Sequence, residues 1–149
     1  MDLKKELKEI GIYIVIGLLL AFIINTGLAY SLGTDKPVMA VVSNSMVPTL
    51  NKGDLVIVKG VDTLQIDKGD VIVFYNPFQG VEVVHRVVDI KEKNGKLLFY
   101  TKGDNDTTNR LSDQIAGIAP PINDHFIRGR VVLTIPKLGW FRVIISSVV

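Results

Sequence analysis

A chain of 149 residues has room for one globular domain with an ordinary core, and hardly for two. Its 17 Lys+Arg against 15 Asp+Glu leave a net charge of +2, too small and too scattered for the basic stripe of a nucleic-acid binder. The absence of cysteine excludes disulfide scaffolds, thiolate nucleophiles and Cys-based zinc sites, and two histidines argue against a multi-His metal centre.

The apolar content is 48%, and much of it lies in one place. No charged residue occurs from Ile10 to Thr34, and Ile10–Tyr30 is apolar around the whole helical circumference. About 20 such residues cross a hydrocarbon layer of about 30 Å. A cleaved signal peptide has an apolar stretch of only about 7–15 residues before a small-x-small site, so a retained membrane span over 10–33 is expected. Lys4, Lys5 and Lys8 precede this segment and only Lys36 follows closely. The positive-inside rule then puts residues 1–9 in the cytoplasm and 34–149 outside the cell membrane, as a single-pass protein in contact with the lipid bilayer.

Beyond Gly33 the helical period gives way to short runs rich in Val and Ile: Val38–Ser43, Asp54–Gly60, Asp70–Asn76, Val81–Ile90, Lys96–Gly103 and Ile127–Ile135. Asn94-Gly95 between two of them signals a type I′ hairpin. The expected fold is mostly β: antiparallel sheets or a partly open barrel behind one N-terminal helix. The tail from Leu138 to Val149 reads equally as a last core strand or as an interfacial segment with Trp140 and Phe141 at the membrane surface.

Val38–Ser43 ends in Ser43-Asn44-Ser45-Met46-Val47-Pro48, and proline cannot continue a strand ladder. A kinked turn bearing hydroxyls is either a plain surface turn or a platform for a nucleophile. A serine hydroxyl needs a base within hydrogen-bond reach, and the imidazoles available are His85 and His125. In Val81–Ile90, side chains 83, 85 and 87 share a face that looks buried, opposite 82, 84 and 86. By itself His85 reads first as a satisfied core histidine. The loop after the hairpin partner changes this, because Asp104, Asp106 and Asp113 lie where the chain returns toward His85. A carboxylate there completes a Ser–His–carboxylate set that activates serine. A calcium loop is disfavoured, since Asn109 stands where glycine is required and no glutamate closes the segment. Asn105-Asp106-Thr107 also matches an N-glycosylation acceptor.

In order, "SNSMVPTL", "GDLVIV", "GDVIVF", "VHRVV" and "TKGDND" resemble the sequence boxes of type I signal peptidases, from about Val38 to Trp140. The histidine in "VHRVV" resembles the archaeal, endoplasmic-reticulum and spore-former type; bacterial members usually carry lysine there. The resemblance implies Ser45 as nucleophile, His85 as general base and Asp104 as the first aspartate of the last box. It also implies that Ser43 assists the Ser45 backbone N–H in holding the oxyanion. A second aspartate usually follows six residues after the first, but that place is Arg110 here. Asp106 and Asp113 are the nearest carboxylates, and Asp113 fits a loop three residues longer.

The implied activity is removal of signal peptides from secreted preproteins at the membrane surface, with no cofactor. Val41, Val42, Val83 and Val84 are expected to line shallow pockets for small side chains, with the substrate extended beside Val38–Ser43. Two other readings compete. A self-cleaving, repressor-like Ser–Lys peptidase calls for lysine at position 85 and a DNA-binding partner domain. A membrane-tethered β-domain that binds or scaffolds requires only that Ser45 and His85 lie far apart.

Overall fold

A computed structural model of the chain describes residues 3–140 and residue 144. Helix α1 (Leu3–Leu32) continues past the apolar segment into the lysine-bearing residues and is about 45 Å long. It is long and apolar enough to cross a membrane, and Leu18, Phe22 and Ile23 are exposed along it. Gly33, at φ +63°, ends it. The Gly33 N–H donates to Tyr30 O and the Thr34 N–H to Ala29 O, a Schellman pair that satisfies two terminal carbonyls.

The end of α1 is fastened to the β domain. The Gly60 N–H donates to Leu32 O (2.7 Å) and Thr34 Oγ1 to Arg128 O (2.8 Å). A Cβ on Gly60 would lie 1.9 Å from the Gly33 carbonyl oxygen, so only glycine permits this approach.

Six strands follow: β1 (Val38–Ala40), β2 (Leu55–Lys59), β3 (Val71–Asn76), β4 (Val81–Lys93), β5 (Lys96–Lys102) and β6 (Ile127–Ile135). They form one sheet in the order β1-β2-β6-β3-β4-β5, and every pairing is antiparallel. All six lie where the β-branched runs place them. Asn94 and Gly95 both have positive φ (55° and 72°), as the type I′ turn between β4 and β5 requires.

Both faces of the sheet are covered. Ile72 and Phe74 of β3 join Val87, Phe99 and Ile122 on one face, while Val73 joins Val41, Met46, Leu50, Val56 and Val58 on the other. This explains why β3 is apolar at successive positions instead of alternating.

Among the described residues, two edges of the sheet are unpaired: β1 bonds only to β2, and β4 pairs with β5 only from Arg86 onward, leaving Val81–His85 without a neighbour on that side. Both edges border one cleft. The tail expected as a strand or interfacial segment lies largely outside the described residues. Trp140 is half-exposed, and its indole packs over Gly53, where a Cβ would fall 2.4 Å from the ring nitrogen.

Candidate active site

The segment carrying Ser45 leaves β1 and returns to β2 as a closed loop. The Val41 N–H donates to Asp54 O and the Gly53 N–H to Val41 O, both at 2.8 Å. Met46 and Leu50 anchor the loop in the core, each burial contributing roughly 1.5–3 kcal/mol. The buried Asp54 carboxylate accepts from the Asn51 N–H (2.9 Å) and the Lys137 N–H (3.0 Å), tying the loop to the turn after β6.

This frame holds Ser45 Oγ 3.0 Å from His85 Nε2. On the far side of the ring, His85 Nδ1 lies 2.7 Å from Asp113 Oδ2. Thr101 of β5 donates its hydroxyl to that same oxygen at 2.7 Å. His85, Asp113 and Thr101 are all buried. A carboxylate accepts only, so the Nδ1 facing it carries the proton and Nε2 accepts from the Ser45 hydroxyl. Ser45 thus spends its one proton on the imidazole. Ser43 Oγ, 3.1 Å from Ser45 Oγ, must then be the donor of that pair.

Asp113 is reached through the hairpin. Thr101 pairs with Val87, two residues from His85, and the Asp113 N–H donates to Thr101 O at 2.8 Å. Of the three loop carboxylates, Asp113 is the one bonded to the imidazole. Asp106 is exposed and pairs with Lys102 (2.7 Å). His125, the other imidazole, is exposed and packs edge-on against Phe126.

Asp104 faces Arg86 instead. Arg86 grips it with Nε to Oδ1 (2.9 Å) and Nη2 to Oδ2 (2.5 Å), and Thr49 donates to Oδ2. The physical cause is the strand pleat: Arg86 points away from the face that His85 occupies. Burial pushes the Asp104 carboxyl up, but the hydrogen bonds from Arg86 and Thr49, with the Arg86 charge, outweigh it and hold Asp104 below the ordinary value. The hydrogen bonds that Arg86 donates to Asp104 in turn raise Arg86. A carboxyl lowered by folding stabilises the fold above its unfolded value of about 3.9, and that contribution is lost as pH falls through the folded value. Asp104→Asn should therefore cost roughly 1–2 kcal/mol at pH 7. Melting curves of wild type and variant should converge below about pH 4; a constant gap from pH 7 to 3 would refute this role.

Val41, Val42, Val83 and Val84 all line the cleft beside Ser45 and His85, which has a volume of about 340 Å³. Met39, Asn76, Gln79, Asn109 and Ile118 line it as well. Asn109 and Ile118 come from irregular segments, where no periodicity marks a cleft-facing side chain. Thr101 carried a detectable signal, a hydroxyl among apolar residues in a predicted strand on the hairpin arm facing His85.

The family model for signal peptidase, peptidase S26, matches residues 7–92. The chain is 30% identical to the signal peptidase complex catalytic subunit SEC11 of Eremothecium gossypii, over 99% of its own length and 87% of that protein. It is 36% identical to the catalytic subunit SEC11C of Homo sapiens, over 70% of this chain and 57% of the human one. With signal peptidase I W of Bacillus subtilis the identity is 38%, over 61% of this chain and 44% of that protein. With the apolar helix, the antiparallel sheet and the Ser45–His85–Asp113 alignment, these matches place the chain in the signal peptidase family, peptidase S26, as a membrane-anchored peptidase of serine type.

Proposed function

We propose that Ser45 is the nucleophile, His85 the general base and Asp113 the carboxylate that orients it. The observation that carries this is the line Ser45 Oγ–His85 Nε2 and His85 Nδ1–Asp113 Oδ2, at 3.0 and 2.7 Å, opening on a cleft between two strand edges that are unpaired among the described residues. The chain is a signal peptidase: it hydrolyses the bond joining a signal peptide to the protein behind it.

As Ser45 Oγ attacks the scissile carbonyl carbon, its proton passes to His85 Nε2, and Asp113 stabilises the imidazolium. The Ser45 backbone N–H and the Ser43 hydroxyl hold the oxyanion, Ser43 turning from Ser45 Oγ to the developing charge. Collapse breaks the C–N bond, and His85 returns the proton to the leaving amine. Water, deprotonated by His85, then releases the signal peptide from the Ser45 ester. Asp104 acts outside this relay, joining β4 to the Ser45 loop through Arg86 and Thr49.

The substrate lies extended between β1 and the free half of β4, taking main-chain hydrogen bonds from these edges. Val41, Val42, Val83 and Val84 receive its small side chains. Residues 10–33 span the cell membrane, 1–9 are cytoplasmic, and the catalytic domain 34–149 lies outside, where the bilayer presents the cleavage site.

Incubated in liposomes with a preprotein ending its signal in Ala-x-Ala, the purified protein should cut after the second alanine. Tryptophan in place of that alanine should lower kcat/KM by about 100-fold or more. Equal cutting of both, with fragments identified by mass, would exclude the valine-lined cleft as the specificity site.

A further inference from the structure

The loop after β5 does more than deliver Asp113. Asn105 sits at its start and grips the chain on both sides of Ser45. Its backbone N–H donates to Ser45 O and its side-chain Nδ2 to Asn44 O, both at 2.9 Å. The approach is tight: a Cβ on Gly103 would lie 2.5 Å from Ser45 O. The Asn105 side chain is itself fixed, because its Oδ1 accepts from the Thr107 N–H (3.1 Å). That bond also settles which end of the amide is nitrogen. The Asn105 carbonyl accepts from the Thr108 and Asn109 N–H groups (3.1 and 2.7 Å), closing the turn beneath it.

The Asn44 carbonyl belongs to the same rigid peptide unit as the Ser45 N–H. Val47–Pro48 is the one cis bond among the described residues, so this unit is trans, with C=O and N–H pointing in opposite directions. Holding the oxygen therefore sets where the N–H aims. Among the described residues, the Ser45 N–H donates to no protein group. A hydrogen bond to the carbonyl also polarises the peptide and strengthens the N–H as a donor.

We infer that Asn105 is the positioning residue of the oxyanion site, its Nδ2 anchoring the Asn44–Ser45 peptide so that the Ser45 N–H is aimed at the developing charge. The inference rests on Ser45 being the nucleophile. It predicts an effect confined to the tetrahedral state, because a donor aimed at the oxyanion does little for the bound ground state.

Two variants test it. Asn105→Ala removes the side-chain bonds, whereas Asn105→Asp keeps the Thr107 contact and turns an acceptor toward Asn44 O. In both, kcat on a preprotein should fall about 10- to 30-fold with KM within about twofold. Affinity for a peptide boronic acid, which Ser45 converts to a tetrahedral adduct, should fall by the same factor. Affinity for an uncleavable peptide of the same sequence should not change. Active-site titration corrects each rate for misfolded protein, so a purely structural role would leave the corrected kcat and the boronate affinity intact. Wild-type kcat in either variant, or a lower kcat with undiminished boronate affinity, overturns the inference. Ser45→Ala run in parallel separates the two levels: if it still cuts, the nucleophile assignment fails; if it is dead while both Asn105 variants are normal, the positioning role alone fails.

Discussion

Ser45→Ala should cut a preprotein about 10⁴-fold more slowly than wild type, or worse, while retaining its fold and its binding of an uncleavable signal peptide. The magnitude follows from how the group acts: without a nucleophile, the base and the carboxylate behind it have nothing to activate, and only oxyanion donors and binding remain. Ser43 does not substitute, because its Oγ makes no hydrogen bond to His85 and meets the imidazole only through Ser45 Oγ, which the variant removes. The loss should lie in kcat, measured in single turnover in liposomes. Undiminished cutting would mean that another group attacks the peptide and that the Ser45–His85 contact is structural.

The second large effect separates the aspartates. Asp113→Asn should lower kcat by about 10³- to 10⁴-fold and Asp104→Asn by less than about tenfold. Asp113 Oδ2 takes hydrogen bonds from both His85 and Thr101, and its Oδ1 has no partner among the described residues. An asparagine can sit there in two ways. With nitrogen toward His85 it enforces the wrong imidazole tautomer; with oxygen toward His85 it buries an NH₂ where Oδ1 was. Either way the charge that stabilises the imidazolium is gone. Asp104 is saturated by Arg86 and Thr49, and its loss reaches the site only through the Ser45 loop. The reverse ranking of the two variants would make Asp104 the orienting acid.

The six strands were legible because β-branched residues cluster between turn formers, and the hairpin because Asn94-Gly95 has few other uses. Ser45 and His85 were legible as a hydroxyl and an imidazole suited to meet, and they lie 3.0 Å apart. The division between Asp113 and Asp104 was not. It depends on which face of β4 each neighbour occupies: His85 turns toward the loop that carries Asp113, and Arg86, one residue on, turns the other way to take Asp104. The cleft was half legible for a related reason. Its valines and Asn76 sit on predicted strands, whereas Asn109 and Ile118 reach it from irregular segments whose path no local pattern marks. Asn105 was not legible as a positioning residue, since that use depends on a contact with Asn44, 61 positions earlier in the chain.

The junction at Gly60 bears on which bonds can be cut. The last turn of α1 is joined to the sheet at two points, Leu32 O to the Gly60 N–H just after β2 and Thr34 Oγ1 to Arg128 O of β6, so little chain separates the end of the helix from the strands. On the function proposed above, this junction would work as a depth gauge: Ser45 Oγ would stand at a set height above the end of the helix, and a polypeptide would be cut where its own exit from the bilayer brings a small-residue site to that height.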